Sequence, residues 1–202
     1  MPRNIDVAIL AKAPIPGFAK TRLIPAIGAH AAAVLQERLT ARAVRTAVDA
    51  KIGPVTLWCT PDCAYRTFRE LAAQFAIRLR EQPTGDLGAR MLSAMRDGPS
   101  LVIGTDCPAL TPPLMQDAAR ALRSHDVVLV PADDGGYVLI GSNMPQPGLF
   151  NDIAWSTAQV MAQTRERART LGLRVYELAP LWDVDVDSDL ARMEREFPEL
   201  RL

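Results

Sequence analysis

Three cations crowd one short stretch near the N-terminus. Lys12, Lys20 and Arg22 all lie in Ala11-Lys12-Ala13-Pro14-Ile15-Pro16-Gly17-Phe18-Ala19-Lys20-Thr21-Arg22-Leu23, although the whole sequence holds only three lysines, the third being Lys51. Phosphate binding is the chemistry that suits such a loop. Lysine supplies a compact charge, arginine a fork of donors, and Gly17 lets the backbone approach a pyrophosphate. The spacing is neither that of a Walker A loop nor that of Gly-x-Gly-x-x-Gly. The competing reading is a surface loop with solvated cations.

Carboxylates gather in three other segments. Asp106, in Gly104-Thr105-Asp106-Cys107-Pro108, is the best single metal ligand. A carboxylate at the end of a buried strand can hold Mg2+ or Mn2+, hard cations that take oxygen donors and keep several waters. Its alternative role is to cap a turn. In Trp182-Asp183-Val184-Asp185-Val186-Asp187-Ser188-Asp189, an extended chain would set Asp183, Asp185 and Asp187 on one side, where they repel unless a cation or solvent intervenes. Alternatively Asp187 or Ser188 caps the last helix and the others are solvated. In Pro131-Ala132-Asp133-Asp134-Gly135-Gly136-Tyr137, Asp133 and Asp134 are turn residues or contacts for substrate hydroxyls.

These loops need strands to position them. Apolar runs predict strands over Val7 to Ala11, Val55 to Cys59, Ile77 to Leu79, Leu101 to Ile103, Val127 to Val130, Tyr137 to Ile140 and Arg174 to Leu178. Helices are expected over Ala29 to Ala50, from Asp62 or Cys63 to Phe75, over Leu87 to Met95 after Gly85-Asp86, and from Thr111 as N-cap to about Ser124. Two more are expected over Ser156 to Leu171 and Ser188 to Phe197. The alternation predicts an α/β protein with a parallel or mixed sheet covered on both faces. Ligands then bind outside the carboxyl ends of the strands, where all four charged segments fall.

Composition narrows the function classes. The 202 residues suit a single domain, and 23 basic against 23 acidic side chains remove the electrostatic case for nucleic acid or membrane as main partner. Cys59, Cys63 and Cys107 are odd in number and lack paired zinc spacing, so they read as reduced thiols of a cytoplasmic protein. The first apolar run is too short for a signal peptide or a membrane span. His30 and His125 lack ligand spacing and read as structural or solvated. Ser156 reads as a helix N-cap without the context of a nucleophile, Trp155 could line a pocket, and the helical arginines read as solvated faces.

The segment 11–23, with Gly85-Asp86-Leu87-Gly88-Ala89-Arg90-Met91, Gly104 to Pro108, Pro131 to Tyr137 and Trp155-Ser156-Thr157, resembles the DUF2064 family of bacterial proteins. That family is placed among the glycosyltransferase-A-like nucleotide-diphospho-sugar transferases, and the resemblance spans nearly the whole chain. It implies a three-layer α/β/α sandwich with a mostly parallel mixed sheet, Rossmann-like in type, over residues 1–202. It also implies that Lys12, Gly17, Lys20 and Arg22 meet nucleotide phosphates and that Asp106 binds the metal. Gly85, Asp86 and Gly88 would lie near the base or ribose. The last acidic segment is similar to an Asp-Val-Asp-Thr-Pro-Glu-Asp-Leu pattern of wider relatives. Val186 and Asp187 replace its Thr and Pro, which leaves the second metal ligand open between Asp183 and Asp185.

Two reactions fit such a site, with Lys20, Arg22 and Asp134 as the candidate catalytic set and Mg2+ or Mn2+ as cofactor. In glycosyl transfer the metal neutralises the diphosphate of a nucleotide sugar while a small-molecule acceptor attacks the sugar carbon. In nucleotidyl transfer a substrate phosphate attacks a nucleoside triphosphate and expels pyrophosphate, as in guanylyltransferases whose first loop is similar to Lys20-Thr21-Arg22-Leu23. A binding protein that keeps the fold without turnover is the third reading.

Overall fold

A computed structural model describes residues 4–95 and 98–202. Seven strands form one mixed sheet: β1 (Asp6–Lys12), β2 (Val55–Thr60), β3 (Arg78–Glu81), β4 (Ser100–Ile103), β5 (Val127–Pro131), β6 (Tyr137–Ser142) and β7 (Val175–Glu177). Their order is β3-β2-β1-β4-β6-β5-β7, with β6 antiparallel to both neighbours and every other pair parallel. The parallel pairs require crossovers, supplied by α1 (Ile24–Asp49), α2 (Arg66–Phe75), α3 (Leu87–Ala94), α4 (Pro112–Ala121) and α5 (Val160–Thr170), with α6 (Asp187–Glu196) closing the chain.

Alternation along β1 builds two faces. Val7, Ile9 and Ala11 join Phe68 of α2, Val44 of α1 and Met115 of α4 in one core, while Ala8 joins Met91 of α3 and Met161 of α5 in another. A third cluster places Leu23, Leu35 and Leu39 against Trp182, Val184 and Met193. It seals the end of α1 onto the segment that leads into α6. β5 is buried at all five positions, which explains why its run reads as apolar throughout instead of alternating.

The expected strands and helices are all present, with shifted ends at several. Asp86 caps α3 by accepting from Ala89 N at 2.8 Å, and Thr111 caps α4 by accepting from Leu114 N at 3.4 Å. The helix anticipated from Ala29 extends back to Ile24, but Gly28 (φ 79°, ψ 159°) interrupts it, so the unbroken stretch does begin near Ala29. The helix expected from Asp62 starts at Arg66, because the Asp62 carboxylate accepts from Ala64 N and closes a local turn. Ser156 is not an N-cap. It has φ 65°, and α5 begins only at Val160. The intervening loop is held back by contacts of its own, with Gln163 Oε1 accepting from Ala154 N at 2.7 Å and Gly135 O accepting from Met161 N at 2.8 Å. Gly135 is required there, since a Cβ at its φ of +91° would stand 2.3 Å from Ala158 O.

Candidate active site

A cleft of about 710 Å³ opens over the carboxyl ends of β1, β4 and β5. Its size is that of a small-ligand site. After β1 the chain turns through an exposed loop and reaches Lys20, whose left-handed backbone (φ 50°) precedes a short 3-10 turn at Thr21–Leu23. Leu23 is fully buried in the third core cluster and so anchors this turn against Val184. From there Lys20 Nζ stands 2.7 Å from Asp106 Oδ1 and 3.7 Å from Asp185 Oδ1, and donates to Val184 O at 2.5 Å. Only 3% of the Lys20 side chain is exposed. Arg22 donates from Nη1 to Asp185 Oδ2 at 2.9 Å while most of its side chain faces solvent.

The acidic partners come from separate segments that the backbone ties together. Val184 N donates to Asp106 O at 2.8 Å, locking the Asp183 to Asp185 stretch onto the loop after β4. Leu181 N donates to Pro131 O and Asp133 N to Leu181 O, which carries the same stretch alongside the end of β5. Asp106, Asp134, Asp183 and Asp185 all line the cleft as a result. Burial, then the carboxylates of Asp134, Asp185 and Asp106, push Asp183 up from 3.8 to about 7. Burial likewise raises Asp185, opposed by Lys20 and Arg22.

This crowding has a thermodynamic consequence. Because the folded chain holds the Asp183 proton more tightly than the unfolded chain, the stability it contributes is complete below about pH 4 and is lost as pH rises toward 7. Asp183→Asn is therefore expected to melt at a higher temperature than the parent at pH 8, with the gap closing at pH 4. Melting curves of both proteins across that range check it, and parallel curves would contradict it.

Oxygen donors of this type suit a hard divalent cation that retains water and takes one or two carboxylates together with substrate phosphate. Among the described residues no three His, Cys, Asp or Glu side chains form a ready-made metal cage. Lys20 stands between Asp106 and Asp185. The donors that fit a metal are thus Asp106 with Asp185 or Asp183, and a phosphate ligand would complete its shell.

Residues 43–157, more than half of the chain, match the family described as uncharacterized protein conserved in bacteria, DUF2064. The chain belongs to the DUF2064 family. Among solved structures, this DUF2064 protein is similar to a candidate nucleotide-diphospho-sugar transferase from Desulfovibrio desulfuricans G20, at 28% identity and TM-score 0.84 over 97% of this chain and 90% of that one. It shares its fold with a nucleotidyl transferase from Methanothermobacter thermautotroptrophicus, at 15% identity and TM-score 0.64 over 98% of this chain and 100% of the other. A third likeness is to glucosyl-3-phosphoglycerate synthase from Mycobacterium tuberculosis in complex with Mn2+, UDP and glucosyl-3-phosphoglycerate. There the identity is 11% and the TM-score 0.56, over 98% of this chain and 78% of that one. No curated protein matches by sequence. The fold is thus the glycosyltransferase-A-like α/β sandwich that the motifs implied.

The DUF2064 protein brings some anticipated residues together and leaves others apart. Lys12, Lys20, Arg22, Asp106, Asp134, Asp183 and Asp185 line the cleft, whereas Gly17, Gly85, Asp86 and Gly88 stand outside its lining. Asp187 opens α6 and accepts from Ser188 N, so it does not share the face of Asp183 and Asp185. Asp133 faces Arg192 at 3.8 Å on the outside. Asp134 both closes its turn, accepting from Gly136 N at 2.8 Å, and borders the cleft. Gly88 has a packing role: a Cβ there would stand 2.7 Å from Trp155 Cζ2 and 3.0 Å from Phe150 Cβ. Gly88→Ala is expected to cost about 1–3 kcal/mol through overpacking, read as a lower urea midpoint; an unchanged midpoint would show that Trp155 yields freely.

Several polar residues of the site escaped the sequence reading. Gln36, buried in α1, donates to Thr105 Oγ1 at 3.0 Å, and Thr105 Oγ1 donates to Asp106 Oδ1 at 3.1 Å. This pair orients the Asp106 carboxylate from beneath. Gln82, after β3, is held by donating from Nε2 to Ala11 O and Trp58 O at 3.1 and 2.9 Å, and it also lines the cleft. A glutamine within a helix or after an edge strand carries no sequence mark of burial, so neither could have been selected by residue type alone.

Proposed function

We propose that this DUF2064 protein is a metal-dependent transferase that uses a nucleotide-activated donor, and that it moves a glycosyl group from a nucleotide-diphospho-sugar to a small-molecule acceptor. Residues 1–202 act in this reading as one domain. The observation that supports it most is the pairing of Lys20 and Arg22 with Asp106 and Asp185, with Asp183 lining the same cleft, which is large enough for a nucleotide. The description of the Desulfovibrio relative favours glycosyl transfer.

Asp106 with Asp185 or Asp183 would hold Mg2+ or Mn2+, which when bound neutralises diphosphate charge and so assists its departure. Arg22, more than half exposed, is free to swing its fork from Asp185 to a phosphate oxygen. Lys20, paired with Asp106 and Asp185, offsets their repulsion of the incoming diphosphate. Asp134, whose Oδ2 is not used in its turn, accepts the hydrogen bond of an acceptor hydroxyl and takes its proton as that oxygen attacks the sugar carbon. The nucleoside diphosphate then leaves with the electron pair of the broken bond.

One observation favours a second reaction. Lys12 is exposed at the cleft, 5.9 Å from the Phe18 ring centroid and, among the described residues, without an acidic partner. A third cation on the same loop would suit the longer triphosphate of a nucleotidyl donor. Incubation with nucleotide sugars and with nucleoside triphosphates, in Mn2+ and a mixed acceptor pool, tests both. Nucleoside diphosphate release from a nucleotide sugar supports the first, pyrophosphate release from a triphosphate supports the second, and neither product would reject turnover altogether.

A further inference from the structure

Beneath Asp106 the floor of the cleft holds a chain of buried polar side chains that the charge pattern does not account for. Gln36 and Thr40 lie one turn apart on α1, and Thr105 precedes Asp106 after β4; the three residues are 3%, 0% and 5% exposed. Buried amides and hydroxyls cost free energy unless they are bonded. Leu35 and Leu39, their neighbours on α1, fill the third core cluster without that cost. The polar chain ends on a carboxylate that lines the cleft, which gives it a purpose that packing does not.

The direction of each bond in the chain is set by chemistry. Thr40 Oγ1 donates its one proton to Gln36 O at 2.7 Å, so toward the Gln36 amide, 3.1 Å away, it can only accept. The amide group that faces it is therefore Nε2, which also donates to Thr105 Oγ1 at 3.0 Å. Thr105 must then turn its own proton to Asp106 Oδ1 at 3.1 Å. Lys20 Nζ stands 2.7 Å from the same oxygen. Among the described residues Asp106 Oδ2 accepts no hydrogen bond, and the side chain is 42% exposed. One oxygen is thus engaged from below and the other is open to the cleft.

We infer that Gln36 and Thr105 are positioning residues that keep Asp106 Oδ1 engaged, so that Asp106 offers a divalent cation Oδ2 alone, and that this single-oxygen presentation favours Mg2+ or Mn2+ over Ca2+. The inference rests on the metal-dependent reading proposed above. Mg2+ and Mn2+ suit a compact octahedron of single oxygens, whereas Ca2+ takes a larger shell in which carboxylates can be bidentate. Chelation through both Asp106 oxygens would have to displace the Thr105 hydroxyl or the Lys20 ammonium from Oδ1. The hydroxyl resists, because the Gln36 group facing it is itself a donor and a proton turned from Oδ1 would lose its acceptor.

Titrations of the full chain with Mn2+, followed by the paramagnetic resonance signal of the free ion, test this, with and without UDP or GDP and with Ca2+ as competitor. The parent is expected to bind Mn2+ about tenfold or more tightly than Ca2+. Thr105→Val keeps the shape and loses the hydroxyl; Mn2+ should weaken by about 10- to 100-fold and Ca2+ by less than about threefold. Thr105→Ser should return Mn2+ to within about threefold of the parent. Gln36→Met should act like Thr105→Val, and the double variant should fall no more than about threefold below Thr105→Val, because both residues work through one bond. The two Thr105 variants carry the test if Gln36→Met does not fold. Mn2+ binding by Thr105→Val within about threefold of the parent overturns the inference and leaves the metal reading standing. Equal affinity of the parent for Ca2+ and Mn2+, no rescue by Thr105→Ser, or losses that multiply in the double variant do the same. A parent that binds Mn2+ neither alone nor with nucleotide removes the metal reading and this inference with it.

Discussion

Replacing Lys20 with methionine is expected to lower both stability and turnover, and to make the protein respond more strongly to a divalent cation. Its side chain is 3% exposed and bridges Asp106 and Asp185, whose own side chains are 42% and 34% exposed. Removing one partner of a buried pair costs about 3–5 kcal/mol, and solvent screening of the two carboxylates reduces that to roughly 2–3 kcal/mol here. For a chain of this length the melting temperature should fall by about 5–10 °C. Methionine keeps the volume of the stem, so the loss reports the charge. Asp106, Asp183 and Asp185 are then left facing one another, and Mn2+ should restore part of the stability by binding the folded state. Thermal melts with and without Mn2+ check this. A variant that melts with the parent and gains no more from Mn2+ would show that Lys20 is a bystander.

The second large effect concerns Asp106. Asp106→Asn keeps the side chain's shape and an oxygen for the Thr105 hydroxyl and the Lys20 ammonium, so the chain should still fold, with part of the stability of the Lys20 pair lost. Loss of the negative charge removes the leading candidate metal ligand. Turnover with whichever nucleotide-activated donor the protein uses should drop by roughly 10²–10³, the effect of deleting one strong electrostatic group from an active site. Steady-state rates at saturating Mn2+ measure it. A variant within threefold of the parent would remove Asp106 from the metal site.

How much of this was legible in the sequence differs between the frame and the site. The sheet could be read because most of its strands are short apolar runs between helices, unbroken from Leu101 to Ile103 in β4 and from Val127 to Val130 in β5, all buried. The antiparallel insertion of β6 between β4 and β5 was not legible, since the order of strands depends on contacts between distant segments and not on local pattern. Ser156 misled for a related reason: serine before an apolar run looks like a helix start, but the loop there is held by the close approach of Ala158 to Gly135 and by the bond from Ala154 N to Gln163.

At the site, charged residues in loops after strands stood out, because a solvated surface role does not require Lys12, Lys20 and Arg22 to share one loop. Asp187 did not join Asp183 and Asp185, since the extended segment ends where α6 begins. Gln36 and Gln82 stayed hidden. Each sits where polar side chains are ordinary, and only the packing of α1 and the end of β3 around the cleft gives them a task. Overall neutrality, 23 basic against 23 acidic residues, concealed the local pairing of Lys20 and Arg22 with Asp106 and Asp185.

In the proposed reaction the carboxylate cluster and the Lys20–Arg22 turn jointly bind a nucleoside diphosphate through a divalent cation. Calorimetric titration of the parent protein with nucleoside diphosphates, in Mn2+ and again in excess chelator, tests it most directly. At least one nucleoside diphosphate is expected to bind in Mn2+ and to bind at least tenfold more weakly once the metal is removed. Binding of equal strength in both conditions, or no binding of any nucleotide in Mn2+, would contradict it.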